Sequence, residues 1–529
     1  MAQEEVTLER SLDNAANVLR SKMDANEYKN YTLGTIFYKY LSDSMLYYVA
    51  ELLEEKNISL EEAQKLYEEN QDDQYLIEEL DIKFNYVIEA KNTYTNILKS
   101  INNHTFQVSQ LGDAFNSIES QGKEFEGLFD DYDLYSKRLG NTAQKQSDTI
   151  SEVLSAIGKL EIVKTPEDTL GNAYEYLIKQ FASESGKKAG EFYTPQKVSR
   201  LLARLTLVDK DYTDGMTVYD PTMGSGSLLL NFRKYVEHPK RITYFGQEIN
   251  TSTYNLARMN MILHHVDVVN QKLRNNDTLD EDWPVEEITN FDAVVMNPPY
   301  SQKWSANAGF KDDPRFSAYG VLPPKSKADY AFLLHGYYHL KHSGVMAIVL
   351  PHGILFRGAA EGKIRKKLLE NGAIDAVIGL PANLFYNTSI PTTIVVLKKD
   401  KQDRDVLFID ASKDFKKVKT QNELRDEDVE KILTTYKERK DIDKYAHLAS
   451  FDEIKENEFN LNIPRYVDTF EPEPEINLDE VSKELRETNG KIKENETELI
   501  SMLKDLTSED EKIMKGLNDF ISVLEEDVK

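Results

Sequence analysis

Between Thr217 and Leu397 the chain carries six short, unbroken apolar runs separated by helix-length segments: 217–220, 242–245, 292–296, 345–350, 376–380 and 393–397. Runs such as Val345-Met-Ala-Ile-Val-Leu350 and Thr393-Ile-Val-Val-Leu397 do not alternate apolar with polar residues. A strand of that kind is buried on both faces, so the pattern predicts an α/β fold: a mostly parallel sheet with helices on both sides. Ligands of such sheets bind outside the carboxyl ends of the strands. The residues just after each run are therefore the ones to read for chemistry.

The flanks differ in character. Up to about residue 165 the chain reads as a helical domain. Leu8, Leu12, Ala15 and Leu19 recur at helical spacing, and a second run (Tyr31, Leu33, Ile36, Phe37, Tyr40, Leu41) follows. Glu51 to Glu79 reads as a solvated helix pair and Ser136 to Asp148 as loop. The α/β segment then spans 166–470, its last strand expected near Leu397. From 471 to 529 an acidic tail opens with the stiff linker Glu471-Pro-Glu-Pro-Glu475 and holds 18 acids against 8 bases, a net 8 − 18 = −10. Two apolar stripes follow (Leu499, Leu503 and Leu506; then Ile513, Leu517, Phe520, Ile521 and Leu524), with Ser508 and Glu511 at capping-box spacing. These stripes suit either a partner protein or the rest of the chain.

Charge and cysteine content narrow the function. The chain has 65 Lys+Arg against 91 Asp+Glu, a net charge of −26, and no cysteine. Phosphate binding depends on Lys and Arg, so this balance argues against gripping nucleic acid unaided. Without a thiol there is no disulfide framework, no Cys-ligated zinc and no cysteine nucleophile, as in a reducing compartment. No run approaches the ~18 apolar residues of a membrane span, and the start is acidic without an apolar leader, so a cytoplasmic location is expected.

Three features carry chemistry. The first run leads directly into Asp220-Pro-Thr-Met-Gly-Ser-Gly-Ser227, a glycine turn between strand and helix that lets backbone approach a ligand closely. Leu229 stands where a dinucleotide fingerprint has its third glycine, so a nucleoside with a carboxylate suits the turn better than a pyrophosphate. Glu248 closes the next strand, 22 residues after Gly226, where nucleoside sites hold ribose hydroxyls. Asp277 follows the next helix and is a candidate acceptor for an adenine amino group. Asn297-Pro298-Pro299-Tyr300 then follows the third run. Two prolines fix the backbone and remove donors, leaving carbonyl oxygens as acceptors. The Asn297 amide oxygen and the Pro298 carbonyl can both accept from one planar NH2, whose lone pair is otherwise delocalised. Held this way, the nitrogen moves toward tetrahedral geometry and becomes nucleophilic. Tyr300 offers a face for stacking.

This set resembles the amino-methyltransferases that use S-adenosylmethionine, and the order of cofactor turn then Asn-Pro-Pro-Tyr matches their adenine-N6 members. Leu170-Gly-Asn-Ala-Tyr-Glu-Tyr-Leu177 and Gly190-Glu-Phe-Tyr-Thr-Pro-Gln196 look like the segment preceding that turn in modification subunits of type I restriction–modification systems. Lys22-Met-Asp-Ala-Asn-Glu-Tyr28 with Leu41-Ser-Asp43 is similar to that family's helical N-terminal domain. The resemblance covers about the first 400 residues. It implies a Rossmann-like methyltransferase core with S-adenosylmethionine held by Glu191, Phe192, Tyr193, Thr194, Pro195, Gln196, Asp220, Gly224, Ser225, Gly226, Ser227, Glu248 and Asp277. Asn297, Pro298, Pro299 and Tyr300 would hold a flipped adenine, with Phe385 as a second aromatic candidate, otherwise core. The implied partners are DNA, a specificity subunit, a restriction subunit and a second copy of this chain.

What is missing fits. Cytosine carbon-5 methylation through a thiol adduct is excluded. No phosphate-binding Gly-x4-Gly-Lys-Ser/Thr loop exists: Gly358 to Lys363 has the wrong spacing and continues with Ile364, so ATP-driven translocation belongs to another chain. Nine scattered histidines suggest no catalytic metal, and a methylated amine can lose its proton to water without a general base. No basic segment reads as a major-groove recognition element. Lys187 and Lys188 are candidate phosphate contacts. Two alternatives remain at this point: a protein-glutamine methyltransferase, whose substrate is also a planar NH2, and a non-catalytic assembly subunit.

Overall fold

The computed structural model describes residues 2–20, 22–55, 57–163, 169–184, 193–280, 283, 290–386, 388–419, 421–469 and 477–528. They fall into two compact units, Met1–Thr469 and Phe470–Lys529.

The first unit is built on a nine-stranded sheet. Its strands are β1 (Met216–Asp220), β2 (Ile242–Gln247), β3 (Gln271–Arg274), β4 (Phe291–Met296), β5 (Leu340–Pro351), β6 (Ile374–Gly379), β7 (Thr392–Lys398), β8 (Val406–Asp410) and β11 (Ala446–Ala449). A small hairpin of β9 (Lys416–Val418) and β10 (Gln421–Glu423) stands apart, and the sheet order is β11-β8-β6-β7-β5-β4-β1-β2-β3. The run from β3 through β5 is parallel; β7 lies antiparallel between β5 and β6, and β11 antiparallel to β8. All six anticipated strands are present. The sheet does not end near Leu397, however: β8 and β11 extend it, and β3, a half-exposed strand of sequence Gln-Lys-Leu-Arg, closes the other edge.

Both faces of the sheet are buried. Val218, Ala293, Val295, Ala347 and Val349 enter one core, whereas the alternate residues Tyr219, Val294, Met296, Met346 and Ile348 enter the other. Each fully buried aliphatic side chain contributes about 1.5–3 kcal/mol, which is why the runs had to be continuous. The helix Asp329–Tyr338 lies so close to the sheet that a Cβ on Gly336 would stand 2.5 Å from the Met296 methyl.

The N-terminal helices share a third core with the helices Thr169–Glu184 and Thr251–Leu263. Leu12 and Leu19 are fully buried there. The charge-rich segment after Glu51 does hold a helix pair, Leu60–Asn70 and Gln74–Phe84, but each buries one face, through Tyr67 and Leu80 among others. Ser136 to Asp148 is only half loop: a helix starts at Ala143, because Thr142 accepts from the Lys145 amide and caps it.

The second unit consists of the helices Leu478–Lys504 and Glu511–Val528. Asn477 caps the first by accepting from the amides of Asp479 and Glu480. Asp510, not Ser508, caps the second by accepting from the Lys512 amide at 2.8 Å. Ile500 and Ile521 are buried, and Lys504 pairs with Glu525. Leu478, Val481, Leu485, Ile492, Leu499 and Met502 are exposed at positions that fit one heptad seam. The linker 471–475 lies outside the described residues.

Candidate active site at the ends of β1 and β4

The order of the sheet reverses between β1 and β4. Strands β2 and β3 lie outward from β1, and β5 lies outward from β4, while β1 and β4 pair directly through Val218 with Ala293 and Tyr219 with Val294. The loops that follow the two strands diverge and open a crevice at their carboxyl ends, the usual binding position in such sheets.

On the β1 side, Asp220 is buried and accepts from the Thr222 amide at 2.9 Å. Burial, reinforced by the nearby Glu248 charge, pushes its carboxyl up to about 7. Gly224 and Gly226 adopt left-handed backbone, with φ of 55° and 77°. Other residues would be strained there, so the turn needs both glycines. The Gly224 amide donates to one Glu248 carboxylate oxygen at 3.2 Å, and the Asn250 amide donates to the other at 2.8 Å. Glu248 thus sets the turn as well as facing the crevice. The helix after the turn is a single turn, Ser227–Leu230.

On the β4 side, Asn297 is held at both ends of its amide. Its nitrogen donates to the Thr194 hydroxyl at 3.2 Å, and its oxygen accepts from the Tyr300 hydroxyl at 2.5 Å. The Tyr300 ring meets Phe385 edge-on, with centroids 6.1 Å apart and planes at 87°. Phe385 itself is buried in the core. Just beyond, Ser301 takes a φ of 53°, and its amide donates to buried Asp329 at 2.6 Å. Arg357 neutralises Asp329 at 2.9 Å.

One cavity of about 740 Å³ joins the two sides, lined by Glu248 and Asp277 together with Asn297, Pro299 and Tyr300. A small recess shares Thr222 and Asn297 with it and is lined by Tyr193, Thr194, Asp220, Gly224, Ser225 and Ser227. Asp277 accepts from the Leu279 amide at 2.9 Å. Five anticipated residues line neither space: Pro195, Gln196, Gly226, Pro298 and Phe385. Gln196 instead donates to Glu175 at 2.8 Å and accepts from Asn231. Glu191, Phe192, Lys187 and Lys188 lie outside the described residues.

Several cavity residues had not been anticipated. Lys29 reaches the cavity from the helix Ala25–Leu52, far away in sequence, and Gln247, Asn276 and Trp304 line it too. Gln247 and Asn276 flank residues that were singled out, so strand-end position was a usable signal for them. Lys29 carried none, nor did Asp329, which holds the Ser301 amide without lining the cavity.

The model of the N-6 DNA methylase family matches residues 165–475, and that of the HsdM N-terminal domain matches residues 8–157. The chain belongs to the N-6 DNA methylase family. It is 36% identical to the methylase subunit of the type I restriction enzyme MpnII of Mycoplasma pneumoniae, over 94% of this chain and 96% of that one. It is 32% identical to the MjaVIII methylase subunit of Methanocaldococcus jannaschii, over 91% and 82%. The crystal structure of a type I restriction–modification methyltransferase subunit from Streptococcus thermophilus is 59% identical and superposes with a TM-score of 0.86, covering 88% of this chain and all of that one. The N-6 DNA methylase described here is therefore an adenine-N6 methyltransferase of the type I modification-subunit kind, which sets aside the protein-glutamine and scaffold alternatives. No described helix of this methylase is long and apolar enough to cross a membrane.

Proposed function

We propose that the cavity binds S-adenosylmethionine against β1 and β2 and a flipped adenine against β4. The observation that carries this reading is that a single cavity brings Glu248 and Asp277 together with Asn297, Pro299 and Tyr300. The donor set fits the cofactor. Glu248 suits ribose hydroxyls, Asp277 an adenine amino group, and the Gly224–Ser227 turn with Tyr193 and Thr194 the amino-acid end. Glu191 and Phe192 are assigned to the same wall, whereas Pro195 and Gln196 line neither space and Gln196 is held by Glu175. Bound there, S-adenosylmethionine supplies an activated methyl group on a sulfonium.

The chain's own residues prepare the amine. The Asn297 oxygen accepts one N6 hydrogen, and the Pro298 carbonyl, set back from both spaces, is assigned the other, which localises the nitrogen lone pair. Positive charge then develops on that nitrogen beside two fixed acceptors, an arrangement worth several kcal/mol in a water-poor site. Thr194 holds the Asn297 amide in orientation, so its oxygen is presented rather than its nitrogen. The Tyr300 ring supplies the stacking face, and Phe385 backs that ring instead of touching the base.

We further read residues 1–165 as the helical domain, 166–470 as the catalytic domain and 471–529 as the assembly segment. The exposed heptad seam from Leu478 to Met502 suits a helix of a specificity subunit, which would supply DNA sequence reading to a chain of net charge −26. A second copy of this chain and a restriction subunit complete the assembly, and its DNA substrate places it in the cytoplasm. The test is co-expression with the adjacent specificity subunit, followed by mapping of methylated bases in host DNA. N6-methyladenine at one recurring sequence is expected; modification confined to cytosine would overturn the reading.

A further inference from the structure

Behind the cavity wall runs a buried hydrogen-bond chain. Arg315 is 2% exposed, and its charge is met by Asp313 at 2.7 Å. It donates to the carbonyls of Thr278 at 3.0 Å and Leu279 at 3.2 Å, two residues of the cavity wall. A further guanidinium N–H lies 3.1 Å from Nδ1 of His335, whose Nε2 lies 2.7 Å from the Tyr219 hydroxyl. That hydroxyl also contacts the Gln247 side-chain oxygen, and the Gln247 amide nitrogen donates to Asn276 at 2.7 Å.

Arginine can only donate, and this fixes the directions at His335. His335 Nδ1 must be the bare acceptor, so its proton sits on Nε2 and is donated to Tyr219. Tyr219 then has its own hydrogen to offer to the Gln247 oxygen and to the Trp283 carbonyl, 3.0 Å away, and the Gln247 NH2 donates to Asn276. The opposite polarity would set two donors against each other at the Arg315–His335 contact. Burial, with His339 and Arg315 nearby, keeps His335 well below its usual pKa, in the neutral form that the chain requires.

We infer that Arg315, His335 and Tyr219 are positioning residues for the cofactor, fixing Gln247 and the wall 276–279 through a hydrogen-bond chain of one polarity. The link to Asp277 is short. Leu279 donates its amide to the Asp277 carboxylate, while its carbonyl is held by Arg315. Thr278 is tied on its other side to the Pro221 carbonyl, beside the glycine turn. Loss of the chain leaves buried polar groups unpaired and lets this wall drift. The inference rests on the cofactor reading above.

Calorimetric titration of the full chain with S-adenosylmethionine tests it, using four proteins. Wild type should bind. His335→Leu removes both contacts, and Tyr219→Phe keeps the ring but breaks the link, so each should weaken affinity roughly five- to tenfold. His335→Gln, which can accept from Arg315 and donate to Tyr219, should recover most of that loss. Tyr219→Phe keeps the test valid if His335→Leu does not fold, because its ring packing on Phe291 persists. Binding by wild type with equal affinity in Tyr219→Phe overturns the positioning role alone, as does equal weakening in His335→Gln and His335→Leu. No binding by wild type overturns the cofactor reading and this inference together.

Discussion

Tyr300 donates its hydroxyl hydrogen to the side-chain oxygen of Asn297 across 2.5 Å. That oxygen is the one assigned to the target amine, and an amide oxygen has two lone pairs. Tyrosine therefore orients the acceptor while leaving a second site on it open, and its ring and its hydroxyl have separable roles.

Removing only the hydroxyl should cost little. Tyr300→Phe loses one hydrogen bond, about 0.5–1.5 kcal/mol, while Thr194 still holds the Asn297 nitrogen. A drop in kcat of less than about tenfold is expected. Tyr300→Ala removes the stacking face, worth about 1–3 kcal/mol per base, and should raise the KM for DNA as well. Steady-state methyl transfer by the assembled complex measures both, and equal effects of the two substitutions would contradict the separation of roles.

Glu248 serves the site twice. Its carboxylate accepts from the amides of Gly224 and Asn250 and is assigned to the ribose. Glu248→Ala should weaken S-adenosylmethionine binding by about 1.5–3 kcal/mol, the range for hydrogen bonds to a charged group. Calorimetry reads this directly, and an unchanged affinity would remove Glu248 from the cofactor site.

Asp220 predicts a pH dependence of stability. Its folded pKa is pushed up to about 7 from an ordinary 3.8, chiefly by burial. Between those values the folded protein holds a proton that the unfolded chain has released. The group's contribution to stability therefore falls as pH rises from about 4 to about 7 and is level above that. Asp220→Asn mimics the protonated form, so its Tm relative to wild type should rise between pH 5 and pH 8. Parallel Tm profiles would show that the carboxyl ionises normally.

The tail separates assembly from catalysis. Its compact unit starts at Phe470, and its apolar seam is exposed, Leu485 by 59%. A chain ending at Thr469 should bind S-adenosylmethionine with wild-type affinity yet fail to co-purify with the specificity subunit. Lysine at both Leu485 and Ile492 should have the same effect, because charges on a heptad seam oppose helix pairing. Normal co-purification of both variants would contradict the assignment.

The fold was legible where one physical requirement governed a whole segment. Strands β4, β5 and β7 are buried on both faces, so their sequences had to be continuously apolar. Strand β3 is not legible, because an edge strand can be Gln-Lys-Leu-Arg. Strand β8, Val-Leu-Phe-Ile-Asp, carries the same continuous apolar signal as β4, β5 and β7. In the site, Gly224, Glu248 and Asn297 stood out because backbone geometry and strand-end position constrain their identity. Lys29, Arg315 and Asp329 did not, since they act across separations in sequence that only the folded chain closes. Gln196 shows the converse: it lies in a recognisable motif, yet its side chain serves Glu175 and Asn231.

Substitution of Asn297 in the full assembly, with tritiated S-adenosylmethionine and cognate DNA, tests the central claim most directly. Asn297→Ala should lower kcat by about a hundredfold or more, the usual consequence of removing a group that meets developing charge, while cofactor affinity and subunit assembly stay at wild-type levels. Methyl transfer to adenine at the wild-type rate by Asn297→Ala would contradict the account.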